Sequence, residues 1–225
     1  MTFSISARCP DSGMFGIAVA SSSACVAARC AHARSGVGVV ATQNITDPRL
    51  GPKGLDLMAA GLSAEDALEK LKANAPHLDY RQLALVDAEG RTASFSGANT
   101  LGTHRVASGN GVAAAGNLLS YSRVPDAMVA AFEESAGLHL GERLIAAMRA
   151  AEAAGGEEGP VHSVGMILVR AEEWPLADLR VDWADEDPIS ELASLWERWK
   201  EEMDAYISRA LNPSEAPSYG VPGDP

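Results

Sequence analysis

The chain has 225 residues, 47% of them hydrophobic, and a formal net charge of −12. That length and apolar share suffice for a sizeable core. The acidic balance excludes a nucleic-acid backbone or an anionic lipid surface as the main partner, since both select a basic face. No charged-then-apolar leader and no long apolar run is present, so no membrane partner and a cytoplasmic location are expected.

In chain order, residues 3–8 and 15–21 read as two strands joined by the turn cluster Pro10-Asp11-Ser12-Gly13, a hairpin. Residues 24–33 are small and apolar and fit either a strand or a short helix. Residues 36–42 read as a buried strand that ends in the polar run Thr42-Gln43-Asn44-Ile45-Thr46-Asp47, followed by the breakers Pro48, Gly51, Pro52 and Gly54. Helices are predicted over 55–60 and from the N-cap Ser63 to Pro76, with Ala67, Leu68 and Leu71 on one face. Strands follow at 82–87, 91–95, 104–108 and 112–115, the last pair flanking Gly109-Asn110-Gly111. Two helices at 125–135 and 140–154 stop at Gly155-Gly156. After strands at 161–169 and 179–183, Asp187 and Pro188 open a final helix carrying Leu192, Leu195, Trp196, Trp199, Met203, Tyr206 and Ile207 at helical spacing. Residues 1–211 are thus expected to form one domain and 212–225, rich in proline and glycine, a flexible tail. Strands and helices that each come in clusters argue for α+β layers.

The amino terminus is the stretch with the most chemistry in it. Thr2 follows a methionine that methionine-removing enzymes generally cleave before a small residue. Removal places a hydroxyl and a free α-amine on one residue, the pairing in which the amine activates its own hydroxyl. The alternation over residues 2–8 puts Thr2, Ser4 and Ser6 on one strand face and Phe3, Ile5 and Ala7 on the other. A Met-Thr start is common, however, and by itself carries no function.

Other candidates have equally ordinary explanations. The glycines of 36–42 and the polar end at Thr42, Gln43 and Asn44 fit either a cleft that holds an oxyanion or a core strand with a close neighbour. Asn117 after Gly116 is a turn or a site. Arg34 faces an anionic group or an ion-pair partner. Ser21, Ser22 and Ser23 lack a Gly-x-Ser-x-Gly elbow. Cys25, Cys30 and His32 match no standard zinc spacing, so no metal and no cofactor is expected, and the three cysteines read as reduced thiols. Arg180 and Asp182 read as a structural ion pair, and Trp196 and Trp199 as core or dimer interface. The acid at 152–158 and 172–202 reads as solvated surface.

Taken as an ordered set, Met1-Thr2-Phe3-Ser4-Ile5, Gly16-Ile17-Ala18-Val19-Ala20-Ser21, residues 36–43, Gly51-Pro52-Lys53-Gly54-Leu55-Asp56-Leu57, Tyr80-Arg81-Gln82-Leu83, Gly116-Asn117-Leu118-Leu119 and Asp178-Leu179-Arg180-Val181-Asp182 resemble the family called domain of unknown function 1028. That family in turn resembles the N-terminal nucleophile (Ntn) hydrolases. The resemblance implies a four-layer αββα sandwich with Thr2 at the nucleophile position. It puts Ser21 or Ser22 where proteasome-type enzymes carry an aspartate, Arg34 where they carry a lysine, and Thr42 and Gln43 near the oxyanion amide. The sequence departs from the proteasome pattern at the first two of these positions.

The expected function is therefore an Ntn-type hydrolase of small or peptide-like amides. Thr2 and Arg34 are its catalytic candidates, and Ser21, Ser22, Thr42, Gln43, Asn44 and Asn117 its substrate-binding ones. The alternatives are a catalytically silent protein of the same fold that binds a metabolite or cell-wall fragment, and a structural or assembly partner. A homo-oligomer, most simply a dimer, is expected because closed symmetric assemblies are the commonest kind.

Overall fold

The computed structural model describes residues 1–223; the last two residues of the expected tail lie outside it. The elements are β1 (Thr2–Arg8), β2 (Phe15–Ser21), α1 (Ala27–Cys30), β3 (Ala31–Arg34), β4 (Gly38–Asn44), α2 (Leu50–Ala59), α3 (Ala64–Asn74), β5 (Arg81–Asp87), β6 (Thr92–Ser96), β7 (Arg105–Gly109), β8 (Val112–Asn117), α4 (Val124–Glu134), α5 (Leu140–Ala153), β9 (Ser163–Val169), β10 (Ala177–Val181) and α6 (Pro188–Leu211). The strands form a six-stranded sheet in the order β10-β9-β2-β1-β8-β7 and a four-stranded sheet in the order β3-β4-β5-β6. Every pairing in both is antiparallel. The fold is mixed α+β, as the clustering of strands and helices predicts.

Strand alternation decides what each face buries. Phe3, Ile5 and Ala7 of β1 pack with Met128, Phe132, Leu144, Met148 and Trp196 from α4, α5 and α6. The opposite face of the same sheet contributes Ile17, Val19, Ala113 and Ala115, which meet Val39, Ala41, Ala84 and Val86 of the second sheet. The intervening positions of that second sheet, Val40, Leu83 and Leu85, pack with Leu50, Leu55, Leu68 and Leu71 of α2 and α3. Alanine and valine dominate between the sheets, so the sheets approach closely there, and the bulkier side chains lie under the helices.

Several boundaries differ from the sequence reading for identifiable reasons. The stretch 24–33 holds both options: the single turn of α1, then β3. Helix α2 begins at Leu50, ahead of Gly51, Pro52 and Gly54. Pro52 is tolerated because a first-turn residue needs no intrahelical N–H bond. Gly51 is a contact point: a Cβ there would lie 2.0 Å from the His32 ring. Helix α5 starts at a cap the sequence reading missed, His139, whose ring accepts from Gly141 N–H while Glu142 reaches back to the His139 N–H. Ser63 and Asp187 cap α3 and α6 as predicted, each accepting from the backbone three residues on.

Trp196 is 1% exposed, and Trp199 donates to Leu176 O at 2.8 Å, so both tryptophans serve the chain's own core. Arg180 and Asp182 form the expected ion pair at 2.9 Å. The cysteines are free thiols. Among the described residues, no helix is long and apolar enough to cross a membrane, and no group of three or more His, Cys, Asp or Glu is placed to hold a metal ion.

Candidate functional site at the amino terminus of β1

Strand β1 is central in the larger sheet, and its first residue, Thr2, pairs with Asn117 at the end of β8. The period-2 rule puts Thr2 and Ser4 on the face that looks toward the second sheet. Ser4 Oγ confirms this by donating to Gln43 Oε1 across the gap at 2.6 Å. Gln43 Nε2 donates to Gln82 Oε1 at 2.7 Å, and the same oxygen accepts from Asn117 Nδ2 at 3.1 Å. Gln82 Nε2 donates to Ser96 Oγ and Gly116 O at 3.0 and 2.9 Å. Ser4, Gln43, Gln82 and Asn117 are all buried. Buried amides of this kind are retained only when satisfied, and this network joins the two sheets directly beneath Thr2.

Above the network, hydroxyls gather. Thr2 is buried, and its Oγ1 lies 3.3 Å from Ser21 Oγ. Both hydroxyls donate to the Met1 carbonyl. Ser21 Oγ also accepts from the Ser23 N–H at 3.1 Å and lies 3.3 Å from Ser23 Oγ. The serine turn is pinned to β9, because Ser163 Oγ donates to Ser23 O at 2.6 Å. Met1 covers this cluster, with its methyl group packed against Gly159, where a Cβ would lie 2.8 Å from it. Cys25, Asn44 and Leu118 flank this end of the sheets, and each has a positive φ. Such strained backbone is concentrated at functional sites more than elsewhere.

The structure thus brings together Thr2, Ser21, Gln43 and Asn117, with the backbone of Ser22 at the edge. Asn44 sits beside them but ties loops together: it donates to Tyr80 O at 2.6 Å and accepts from Leu101 N–H at 3.2 Å. Two expected site residues lie elsewhere. Thr42 faces away, as the residue before Gln43 must, and its hydroxyl donates to Asp47 O at 3.2 Å. Arg34 pairs with Gly38 at the opposite end of β4 from Gln43, about 16 Å along the strand. There it makes an ion pair with Asp56 at 2.9 Å. That pairing sets Arg34 at the far end of β4 from Gln43, apart from the residues gathered around Thr2. His32 packs against Gly51 and Cys30 contacts Thr46 Oγ1 at 3.6 Å; burial lowers the histidine's pKa and raises the thiol's. A groove of about 360 Å³ between α2 and α3, lined by Leu50, Leu57 and Leu71, lies across the second sheet from Thr2.

The sequence reading missed Ser4, Gln82 and, above all, Glu157. Glu157 belongs to the run expected to be solvated acid, yet it is 4% exposed. Gly155 and Gly156, with φ of +119° and +59°, fold the loop inward. A bridge between Leu119 and Glu157 fixes it beside β8. Burial pushes the Glu157 carboxyl up to about 7, against the opposing pull of the Met1 amine and the nearby Ser22 N–H. The available signal was the bracketing of Glu157 and Glu158 by Gly155-Gly156 and Gly159-Pro160, which marks a tight loop and not a solvated helix.

A model of a family of unknown function, DUF1028, matches residues 2–192. The chain belongs to the DUF1028 family. A crystal structure of a DUF1028 protein from Silicibacter pomeroyi matches with a TM-score of 0.81 and 30% identity, over 88% of this chain and 88% of that one. The DUF1028 fold of the described residues is therefore shared with a solved member. Anbu, an ancestral β-subunit from Yersinia bercovieri, also matches at a TM-score of 0.41 and 11% identity, over 91% of this chain and 97% of that one, a likeness that carries no argument. No curated protein matches this DUF1028 chain.

Proposed function

We propose that this DUF1028 protein is an N-terminal nucleophile hydrolase of a small or peptide-like amide, built as a four-layer αββα sandwich over residues 1–211. The observation that carries this reading is the position of Thr2. It is the first residue of a central strand and faces the space between two antiparallel sheets, with a second hydroxyl 3.3 Å away.

In this reading, cleavage of the Met1–Thr2 bond uncovers the hydroxyls and leaves an α-amine on Thr2. Thr2 Oγ1 attacks the substrate carbonyl as its proton passes to that amine. The tetrahedral intermediate collapses to a threonyl ester and expels the leaving amine, which takes the proton back. Water then attacks the ester, releases the acid and restores the hydroxyl. Asn117 is the oxyanion donor closest in register to Thr2, since its amide keeps a second N–H beyond the one given to Gln82. Assay of Met1-free and Met1-retaining protein on one panel of amides tests the reading. Turnover is expected only from the Met1-free form, and equal rates in the two would sink it.

A second reading is a silent protein that binds a small ligand at this end, with the Thr2 and Ser21 hydroxyls held by the backbone next to them and not aimed at a substrate. The Met1 carbonyl accepts from both hydroxyls, and the Met1 methyl group packs against Gly159. That reading expects no turnover in either form and a ligand affinity indifferent to Thr2→Ala.

Assembly as a two-fold dimer is proposed from the apolar residues Leu195, Tyr206 and Leu211 exposed on α6. A dimer mass is expected from light scattering at micromolar concentration, and a monomer mass would overturn it.

A further inference from the structure

The buried group that the proposed chemistry leaves unused is the Glu157 carboxyl. Neither of its oxygens has a hydrogen-bond partner, and the residue is 4% exposed. Its backbone is nonetheless firmly placed: the carbonyl accepts from Ser120 Oγ at 2.9 Å, and the residue bridges Leu119. The carboxyl is therefore held where it is by the fold. Geometry puts the start of β1 beside it: the Leu119 that Glu157 bridges follows closely on Asn117, the residue paired with Thr2, and Gly159 of the same loop packs against the Met1 methyl. The Ser22 N–H and the chain's amine both favour the charged carboxylate. Burial pushes the pKa of the nearby Cys30 thiol up, against a smaller pull from the same amine. The hydroxyls of Ser21 and Ser23 on the same turn are uncharged.

A carboxylate taken out of water without a partner is heavily penalised, whereas one that meets an ammonium is not. The charge already acting on Glu157 is an amine one residue further out than Thr2. Hydrolysis of the Met1–Thr2 bond consumes a water molecule, releases methionine and moves that amine one residue inward, onto the residue that carries the hydroxyl. We propose that Glu157 is the positioning residue for the α-amine of Thr2: after Met1 is removed, its carboxylate takes the new ammonium as its partner and fixes it beside the Thr2 hydroxyl. The inference rests on the N-terminal-threonine reading for the cleavage, but it is measurable without any substrate.

The test is an NMR titration of the whole protein. In Met1-free protein, the Thr2 ¹³Cα shift reports the amine, and the Glu157 ¹³C carboxyl shift reports its partner. Cleavage of Met1 is expected to lower the Glu157 titration point by about one unit, as an opposite charge moves closer. Glu157→Gln in Met1-free protein is expected to lower the Thr2 amine titration by about one unit. An amine titration unchanged by Glu157→Gln, or a Glu157 titration unchanged by loss of Met1, overturns the pairing. If the variant fails to fold, the comparison of the two wild-type forms decides alone. Coupling without turnover on any amide sinks the hydrolase and leaves the pairing; turnover without coupling does the reverse.

Discussion

Thr2→Ala in Met1-free protein is expected to lower amide turnover by at least about a thousandfold, because it removes the attacking oxygen itself. The folding cost should be only about 1 kcal/mol, the usual net worth of one hydroxyl's hydrogen bonds. The reason is local. Among the described residues, Thr2 Oγ1 has hydrogen bonds only to Ser21 Oγ and the Met1 carbonyl, and removal of Met1 already takes away the second. The inter-sheet network runs through Ser4, Gln43, Gln82 and Asn117 and does not include Thr2, so it survives the substitution. Thr2→Ser should keep measurable turnover, since hydroxyl and amine stay on one residue. Wild-type rates should rise with pH through the amine's ordinary range of about 7.7–8.0, or above it where a carboxylate partners the ammonium. Steady-state assays of the three proteins across that range check all of this. Undiminished turnover by the alanine variant would move the nucleophile elsewhere, with Ser21 the first residue to examine.

How much of this was legible in the sequence depends on the range of the interactions. The hairpin of β1 and β2 was readable because its alternation and turn are local, and the register that pairs Phe3 with Ala20 follows from them. The caps Ser63 and Asp187 were readable for the same reason. Glycine misled where its cause was distant: Gly51 is a contact with His32, nineteen positions away in the chain, and has nothing to do with breaking a helix. His139 was missed because histidine is an uncommon cap.

The candidate site follows the same division. That Thr2 and Ser4 share a face is a period-2 statement, and the structure keeps it. That Gln43 and Thr42 part company is also a period-2 statement, yet the two had been grouped by adjacency. Gln82, Asn117 and Glu157 come from strands and loops whose meeting is a matter of sheet order, with β8 placed beside β1 and β5 beside β4. Nothing local encodes that order. Glu157 is the clearest case: the sequence shows it as one acid in an acidic run, and the fold buries it near Ser22, more than a hundred residues earlier in the chain.

The second large effect is on stability, and its sign is unusual for a carboxylate. The folded-state pKa of Glu157 is raised to about 7 by burial, above its ordinary value. Between the two values the folded protein holds a proton that the unfolded chain has released, so stability falls as pH rises through this window. The contribution is intact below about pH 4.5 and lost by about pH 8, and is of the order of 3 kcal/mol for the Met1-retaining form. The half-buried histidines His32 and His139, whose pKa values desolvation lowers, act in the opposite sense and only below their ordinary value. Glu152 has an exposed surface but a partly desolvated carboxyl, which with Asp187 nearby raises its pKa, and it acts in the same sense as Glu157. These groups are common to wild type and Glu157→Gln, so the difference between the two proteins isolates Glu157. Urea unfolding of the Met1-retaining forms should give similar stabilities at pH 5, where the carboxyl is neutral and nearly isosteric with the amide. At pH 8 the glutamine variant should be the more stable by about 3 kcal/mol. The gap should narrow once Met1 is removed, because the carboxylate then has an ammonium to meet. Parallel stability profiles from pH 5 to 8 would mean that Glu157 is solvated when charged, and would leave the buried, unpartnered carboxyl without an energetic consequence.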